Sequence, residues 1–110
     1  MNNHIALYVP STSNVDRPVD TAKYVNLVAK LFSVWFGGAT IESVQGCYLS
    51  DSGKLVSEPI TRVFSFVETL DDQTKARVTG VANLIKARLS QESVAVEFIT
   101  YPASEGMLFV

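Results

Sequence analysis

The chain of 110 residues has the length of one domain, and its 47% hydrophobic and 18% charged residues exclude a disordered protein. Nine basic and eleven acidic residues leave a net charge of −2, so no overall positive field attracts nucleic acid or anionic lipid. Because a typical domain carries ~25% charged residues, the shortage here indicates that another chain covers part of the apolar surface. We expect a single domain over residues 1–110.

The first half of the chain predicts a strand, a loop and a helix. Ile5–Val9 is β-branched and aromatic and ends at Pro10, which is typical of a strand entering a loop. Asp20 is the predicted N-cap of the helix, whose apolar residues recur at helical spacing up to Phe36. Gly37-Gly38 ends it, because glycine enters the left-handed backbone region without steric cost.

The second half predicts a hairpin, a helix and two further strands. Thr40–Leu49 and Pro59–Thr69 are the predicted arms of the hairpin, and Gly46 indicates a bulge or a close approach in the first arm. Asp71-Asp72 cap the second helix. Strands are predicted at Ser93–Thr100 and, after a turn, at Met107–Val110. The order predicts an α+β fold, a ferredoxin-like βαββαβ sandwich with an additional C-terminal strand.

Alternation along the strands assigns the two faces of the sheet. The helices are expected to cover one face, and the opposite face is the open face. The apolar side chains that we expect there, as an interface between copies of the chain, are Tyr8, Phe64, Phe66 and Ile99. For the third strand, alternation also allows Val63, Ser65 and Val67 on this face, and we favour the phenylalanine set because valines suit the tight layer under the helices. The predicted assembly is a homo-oligomer packed sheet to sheet. The alternative is that the last strand and the 10–19 loop fold over this face.

The loop after the first strand is the predicted ligand site. Long polar loops that follow a central strand often carry binding groups. A small polar or anionic ligand is expected to contact Tyr8, Ser11, Thr12, Asn14 and Arg17. A solvated connection is the alternative interpretation.

The two central strands also resemble the signature motifs of RNA-recognition-motif domains. Tyr8, Phe64 and Phe66 lie where aromatic side chains stack bases in that family, and Arg62 precedes them. Val63 replaces the family's glycine, Thr69 replaces its last aromatic residue, and the chain lacks a basic surface. Binding to nucleic acid is therefore disfavoured.

Few residues indicate catalysis or a metal site. Cys47 has no cysteine partner and is expected to be a small buried apolar residue, and a single histidine cannot build a histidine-rich metal site. No catalytic residue, metal or cofactor is assigned. The enzyme alternative places an active site between subunits, with His4, Tyr8 and Glu97 as its candidate residues.

The sequence predicts a cytoplasmic location. The N-terminal residues lack the basic region and long apolar run of a signal peptide, and polar residues interrupt the longest apolar stretch, 25–36. We expect no association with a membrane.

Several short motifs together resemble a family of small bacterial and mobile-element α+β proteins of unknown function. They are Leu7-Tyr8-Val9-Pro10-Ser11-Thr12, Phe36-Gly37-Gly38-Ala39-Thr40, Gln45-Gly46-x-Tyr48 and Gln91-Glu92-Ser93-Val94. The resemblance implies the same order of helices and strands and no established activity. Small proteins of this kind also occur on phages and plasmids, and this suggests that the protein binds a host protein or a signalling nucleotide. The main hypothesis from the sequence is a non-enzymatic binding module.

Overall fold

The structure is a computed structural model that describes residues 3–13, 17–91 and 93–100. Its elements are β1 (Asn3–Pro10), β2 (Thr12–Ser13), β3 (Arg17–Pro18), α1 (Ala22–Phe36), β4 (Thr40–Leu49), β5 (Leu55–Val67), α2 (Asp72–Arg88) and β6 (Val96–Thr100). A four-stranded antiparallel sheet and two helices confirm the predicted α+β class. The predicted last strand, Met107–Val110, lies outside the described residues.

The main sheet has the strand order β4-β5-β1-β6, and every neighbouring pair is antiparallel. The chain therefore crosses over the sheet twice, once through α1 and once through α2. The short strands β2 and β3 pair with each other in a separate two-stranded sheet that follows β1. This order places β1 and β5 in the centre, where their side chains have neighbours on both sides.

Local signals at the helix ends largely agree with the sequence. Gly37 ends α1 with φ +89°, as predicted for a glycine in the left-handed region. The N-cap of α1 is Thr21 rather than Asp20, although the Asp20 carboxylate accepts a hydrogen bond from the Ala22 N–H at 2.9 Å. Asp71 caps α2 by accepting from the Thr74 N–H at 2.8 Å. Neither described helix has the length and apolar character needed to cross a membrane.

Both helices pack on the same face of the sheet, and the core lies between them and the strands. The fully buried sheet residues at its centre are Ile5, Leu7, Val9 and Val63, and they meet Val28 and Phe32 of α1 and Val78 and Ile85 of α2. Ser65 is the polar residue in this layer, and its hydroxyl donates to the Gly38 carbonyl at 2.6 Å. A buried hydroxyl needs such a partner, so this bond fixes the end of α1 on β5.

The hairpin differs from the prediction in length. β5 begins at Leu55, four residues before the predicted start at Pro59, and ends two residues before Thr69. The ladder with β4 runs without interruption from Thr40–Phe64 to Leu49–Leu55 and so contains no bulge. β6 begins at Val96 instead of Ser93, since its ladder with β1 starts at the Leu7–Val96 pair.

Gly46 is a point of close approach, the second of the two predicted alternatives. A Cβ atom at this position would lie 2.8 Å from Ile60 Cδ1 on the neighbouring strand. The absence of a side chain on β4 therefore makes room for Ile60, which lies on the open face near the end of β1.

Candidate functional site

The register of the sheet gathers polar side chains on the open face. Tyr8 of β1 lies opposite Arg62 of β5, and Arg62 in turn lies opposite Glu42 of β4. On the other side of β1, Ala6 lies opposite Glu97 of β6. Directly paired residues of antiparallel strands point to the same face. We call the resulting group of five side chains the Arg62 cluster: His4, Tyr8, Glu42, Arg62 and Glu97.

The guanidinium of Arg62 is the centre of this cluster. Its Nη1 donates to Glu42 Oε1 at 2.8 Å, and its Nε donates to the Tyr8 hydroxyl at 3.2 Å. The Nε atom is also 3.5 Å from Glu97 Oε1, and Nη2 is 3.4 Å from His4 Nε2. Only 14% of the Arg62 side chain is exposed. All three nitrogens are engaged, so the guanidinium is held in one orientation.

Tyr8 and Glu97 form the second strong contact. The Tyr8 hydroxyl donates to Glu97 Oε1, and this hydrogen bond raises the pKa of Tyr8 above its ordinary value. The phenol therefore remains protonated at neutral pH and continues to act as a donor. It fixes the Glu97 carboxylate at the edge of the cluster, where the side chain is 36% exposed.

His4 is the buried member of the cluster. Burial and the nearby Arg62 cation both lower the pKa of His4, because each disfavours the charged imidazolium. Its ring packs edge-on against Phe66, with the ring centroids 5.9 Å apart. A neutral His4 at pH 7 is the form that is compatible with the adjacent guanidinium.

Aromatic rings surround the charged groups. The Arg62 guanidinium lies over the Phe64 ring, 4.5 Å from its centroid, and Phe64 packs edge-on against Phe66. With His4 neutral, one guanidinium and two carboxylates leave one net negative charge. A partly desolvated negative charge bordered by aromatic faces suits a small organic cation.

A groove continues from the cluster along the open face. It has a volume of about 230 Å³ and begins at Tyr8. Its other lining residues include Pro10, Glu58, Ile60 and Gln91. We call it the Glu58 groove, because Glu58 supplies its carboxylate.

The four residues predicted as an interface do share the open face. Phe64, Phe66 and Ile99 are half-buried within the chain, and Tyr8 belongs to the Arg62 cluster. Their role between copies of the chain stays a prediction. His4, Tyr8 and Glu97 are the candidate residues of the enzyme alternative, and the structure brings these three together. Glu42 was not among the predicted residues, because its link to the cluster is its pairing with Arg62 in the register, which the sequence alone does not reveal.

The predicted ligand loop lies apart from this cluster. Thr12 is buried, and its carbonyl and hydroxyl oxygens accept from Gln91 Nε2 at 2.6 and 3.2 Å. Ser11 and Thr12 line a second cavity of about 450 Å³, which shares Glu58 with the Glu58 groove. Asn14 lies outside the described residues, and so does the side chain of Arg17. Tyr8 thus lines one cavity and Ser11 and Thr12 line another, and the two cavities meet at Glu58.

The expectation that Cys47 is buried is wrong. It is exposed on β4 rather than buried, because it lies on the hairpin beyond the residues that the helices cover. Among the described residues, no group of three or more His, Cys, Asp or Glu side chains has the arrangement of a metal site.

The protein is similar in structure to several known proteins. No protein-family model and no curated protein matches the sequence. A phage SAM lyase in complex with S-methyl-5′-thioadenosine is similar, with a TM-score of 0.65 and 21% identity over 89% of this chain and 80% of that one. A phage SAM lyase in the apo state is also similar, with a TM-score of 0.65 and 18% identity over 90% of this chain and 80% of that one.

A third likeness is to the divalent ion tolerance protein CutA1 from Ehrlichia chaffeensis. It has a TM-score of 0.50 and 16% identity over 94% of this chain and 84% of that one. At these identities the likenesses establish a shared fold. The first two nevertheless contradict the main hypothesis from the sequence, since they point to an enzyme rather than to a non-enzymatic binding module.

Proposed function

We propose that this protein is an S-adenosylmethionine (SAM) lyase that releases S-methyl-5′-thioadenosine. The observation that carries the proposal is the Arg62 cluster, a half-buried group with one net negative charge beside aromatic rings. SAM is a sulfonium cation, so its charge complements the cluster. The fold shared with phage SAM lyases supports the same assignment.

The reaction needs little chemistry from the protein. The bond between sulfur and the four-carbon amino-acid fragment breaks, and its electron pair remains on sulfur, which becomes a neutral thioether. As this bond breaks, the substrate's own carboxylate bonds to the same carbon and closes a lactone, so the balance requires no proton acceptor, water or redox partner. Orientation of the substrate and exclusion of water are the main contributions expected of the site.

Three residues of the cluster, and one aromatic ring beside it, have a role in this scheme. The Glu97 carboxylate attracts the sulfonium, and the Tyr8 hydroxyl holds that carboxylate in position. Arg62 fixes the same carboxylate from the other side and prevents the two acidic groups from repelling each other. The Phe64 ring provides an apolar border, which favours a step in which charge disappears.

The experiment is direct measurement of the product. The purified protein is incubated with SAM, and S-methyl-5′-thioadenosine is quantified by reversed-phase chromatography against a protein-free control. We expect product formation above the spontaneous rate. Failure of the wild-type protein to exceed that rate, in a sample shown to be folded, overturns the proposal.

A variant of Glu97 tests the role of the cluster. The positive charge that Glu97 attracts is present in the bound substrate and absent from the thioether product. We therefore expect Glu97→Gln to raise KM for SAM by about tenfold or more, the effect of losing a hydrogen-bonded charge contact. Glu68→Gln is the matched control, because Glu68 is exposed and follows the end of β5.

We also propose that the chain forms a homo-oligomer in which a second copy borders the open face. Large apolar side chains are exposed at the end of the β4–β5 hairpin: Tyr48, Leu49 and Leu55. An active site between subunits, as in the enzyme alternative, then closes over the Arg62 cluster. Sedimentation at micromolar concentration tests the assembly, and a single 12 kDa species contradicts it.

The proposal is compatible with three further predictions from the sequence, which concern the fold, the location and the family resemblance. The strand order β4-β5-β1-β6 with two helical crossovers supports the ferredoxin-like sandwich. The exposed thiol of Cys47 suits a reducing compartment and supports a cytoplasmic location. The likeness to phage proteins supports the mobile-element family that the sequence motifs resemble.

A further inference from the structure

We propose that the Glu58 groove binds the ribose of the substrate and product, with the Glu58 carboxylate accepting hydrogen bonds from the ribose hydroxyls. This inference rests on the proposed function and names the part of the site that recognises the nucleoside. Glu58 has no role in the scheme given above, and it belongs to neither the predicted interface nor the predicted ligand loop.

The Glu58 groove adjoins the Arg62 cluster. Tyr8 belongs both to the Arg62 cluster and to the lining of the groove. In SAM the sulfonium is attached to the 5′ carbon of the ribose. A sulfonium held at the cluster therefore places the ribose next to it, within the adjoining groove.

The lining of the groove combines apolar surface with a carboxylate. Pro10, Ile60 and Val94 provide apolar surface for the faces of the sugar and the base. Glu58 is half-buried and adds a carboxylate on the open face, two residues before Ile60. A carboxylate has two acceptor oxygens, which match the two adjacent hydroxyl donors of a ribose. Such charged hydrogen bonds are stronger than neutral ones.

Gly46 leaves space for the residues that line the groove. It lies directly opposite Glu58 in the β4–β5 ladder and carries no side chain. A Cβ atom there would come within 2.8 Å of Ile60 Cδ1 and 3.9 Å of Glu58 Cγ, so a larger residue would displace the groove lining. The glycine thus allows Ile60 and Glu58 to occupy the positions that shape the groove.

The test measures binding of S-methyl-5′-thioadenosine and of its 2′,3′-dideoxy analogue by isothermal titration calorimetry. The proteins compared are the wild type, Glu58→Ala, Glu58→Gln and the control Glu68→Gln. We expect the wild type and the control to prefer the ribose compound by tenfold or more, the size of a charged hydrogen-bond contribution. Glu58→Ala should lose this preference, and Glu58→Gln should retain only part of it. Circular dichroism verifies that each variant is folded.

The outcomes separate this inference from the proposed function. If the wild type cleaves SAM but folded Glu58→Ala keeps the full preference for the ribose compound, the groove inference is wrong and the lyase proposal stands. If the wild type shows a preference that depends on Glu58 but does not cleave SAM, the groove inference stands and the lyase proposal fails.

Discussion

The hydroxyl of Tyr8 donates a hydrogen bond to the carboxylate of Glu97, joining the adjacent strands β1 and β6 across 89 positions of sequence. Arg62 on β5 contacts both groups from the other side of β1. Three strands therefore meet in one polar contact on the open face. This contact makes the open face a candidate site for chemistry.

Removal of the Tyr8 hydroxyl tests the contact itself. We expect Tyr8→Phe to lower the free energy of unfolding by about 1 kcal/mol, because Glu97 loses a donor in a half-buried place. Urea denaturation measures the change. Tyr48→Phe is the matched control, since Tyr48 is exposed on β4, and its effect should remain within about 0.5 kcal/mol. Equal effects of the two substitutions would contradict the assignment.

Loss of the Arg62 guanidinium should have a larger effect. Arg62→Met keeps most of the aliphatic volume but leaves the Glu42 and Glu97 carboxylates without their shared cation. We expect a loss of about 1–3 kcal/mol in the free energy of unfolding, discounted because both carboxylates are partly exposed. Adding Glu97→Gln should recover part of that loss. A double variant whose loss equals the sum of the single losses would argue against coupling.

The lowered pKa of His4 predicts a dependence of stability on pH. The unfolded chain binds a proton near the ordinary histidine pKa of about 6.5, whereas the folded protein binds it only at lower pH. Stability contributed by neutral His4 is therefore present above that value and is lost as the pH falls towards the folded pKa. The groups facing the ring are Arg62, Glu97, Phe64 and Phe66.

Thermal unfolding between pH 7.5 and 5 measures this effect. His4→Gln removes the titrating group and should flatten the curve of melting temperature against pH in that range. The wild type should lose stability as the solution becomes more acidic. Identical pH profiles for the two proteins would show that His4 does not contribute.

Gly46 and Ile60 form a pair suited to a double-mutant cycle. Gly46→Ala introduces a Cβ atom 2.8 Å from Ile60 Cδ1, the end of a flexible side chain, and we expect the overpacking to cost about 1 kcal/mol. Ile60→Val deletes that Cδ1 atom and by itself costs about 0.5–1.5 kcal/mol. The double variant should be more stable than the sum of the two losses predicts, as urea denaturation would show. Strict additivity would mean that Ile60 moves aside freely.

The sequence by itself determined the local elements and the side of the sheet on which most residues lie. Strand alternation placed Ile5, Leu7 and Val9 under the helices, and of the two sets it allowed for the third strand we favoured Phe64 and Phe66 for the open face; the structure agrees. Gly37 and Asp71 marked helix ends because their effects depend on the adjacent backbone alone. These features arise from interactions among near neighbours, which a linear pattern records.

Only the tertiary structure decided which distant side chains meet. Glu42, Arg62 and Glu97 become neighbours through the pairing of four strands, and the register of that pairing depends on contacts spread over the whole sheet. The sequence predicted that His4, Tyr8 and Glu97 share the open face, whereas the structure shows that Arg62 joins them to Glu42 in one cluster. The reason is physical: an ion pair between strands produces no repeating pattern in the sequence, since each strand contributes a single charged residue to it.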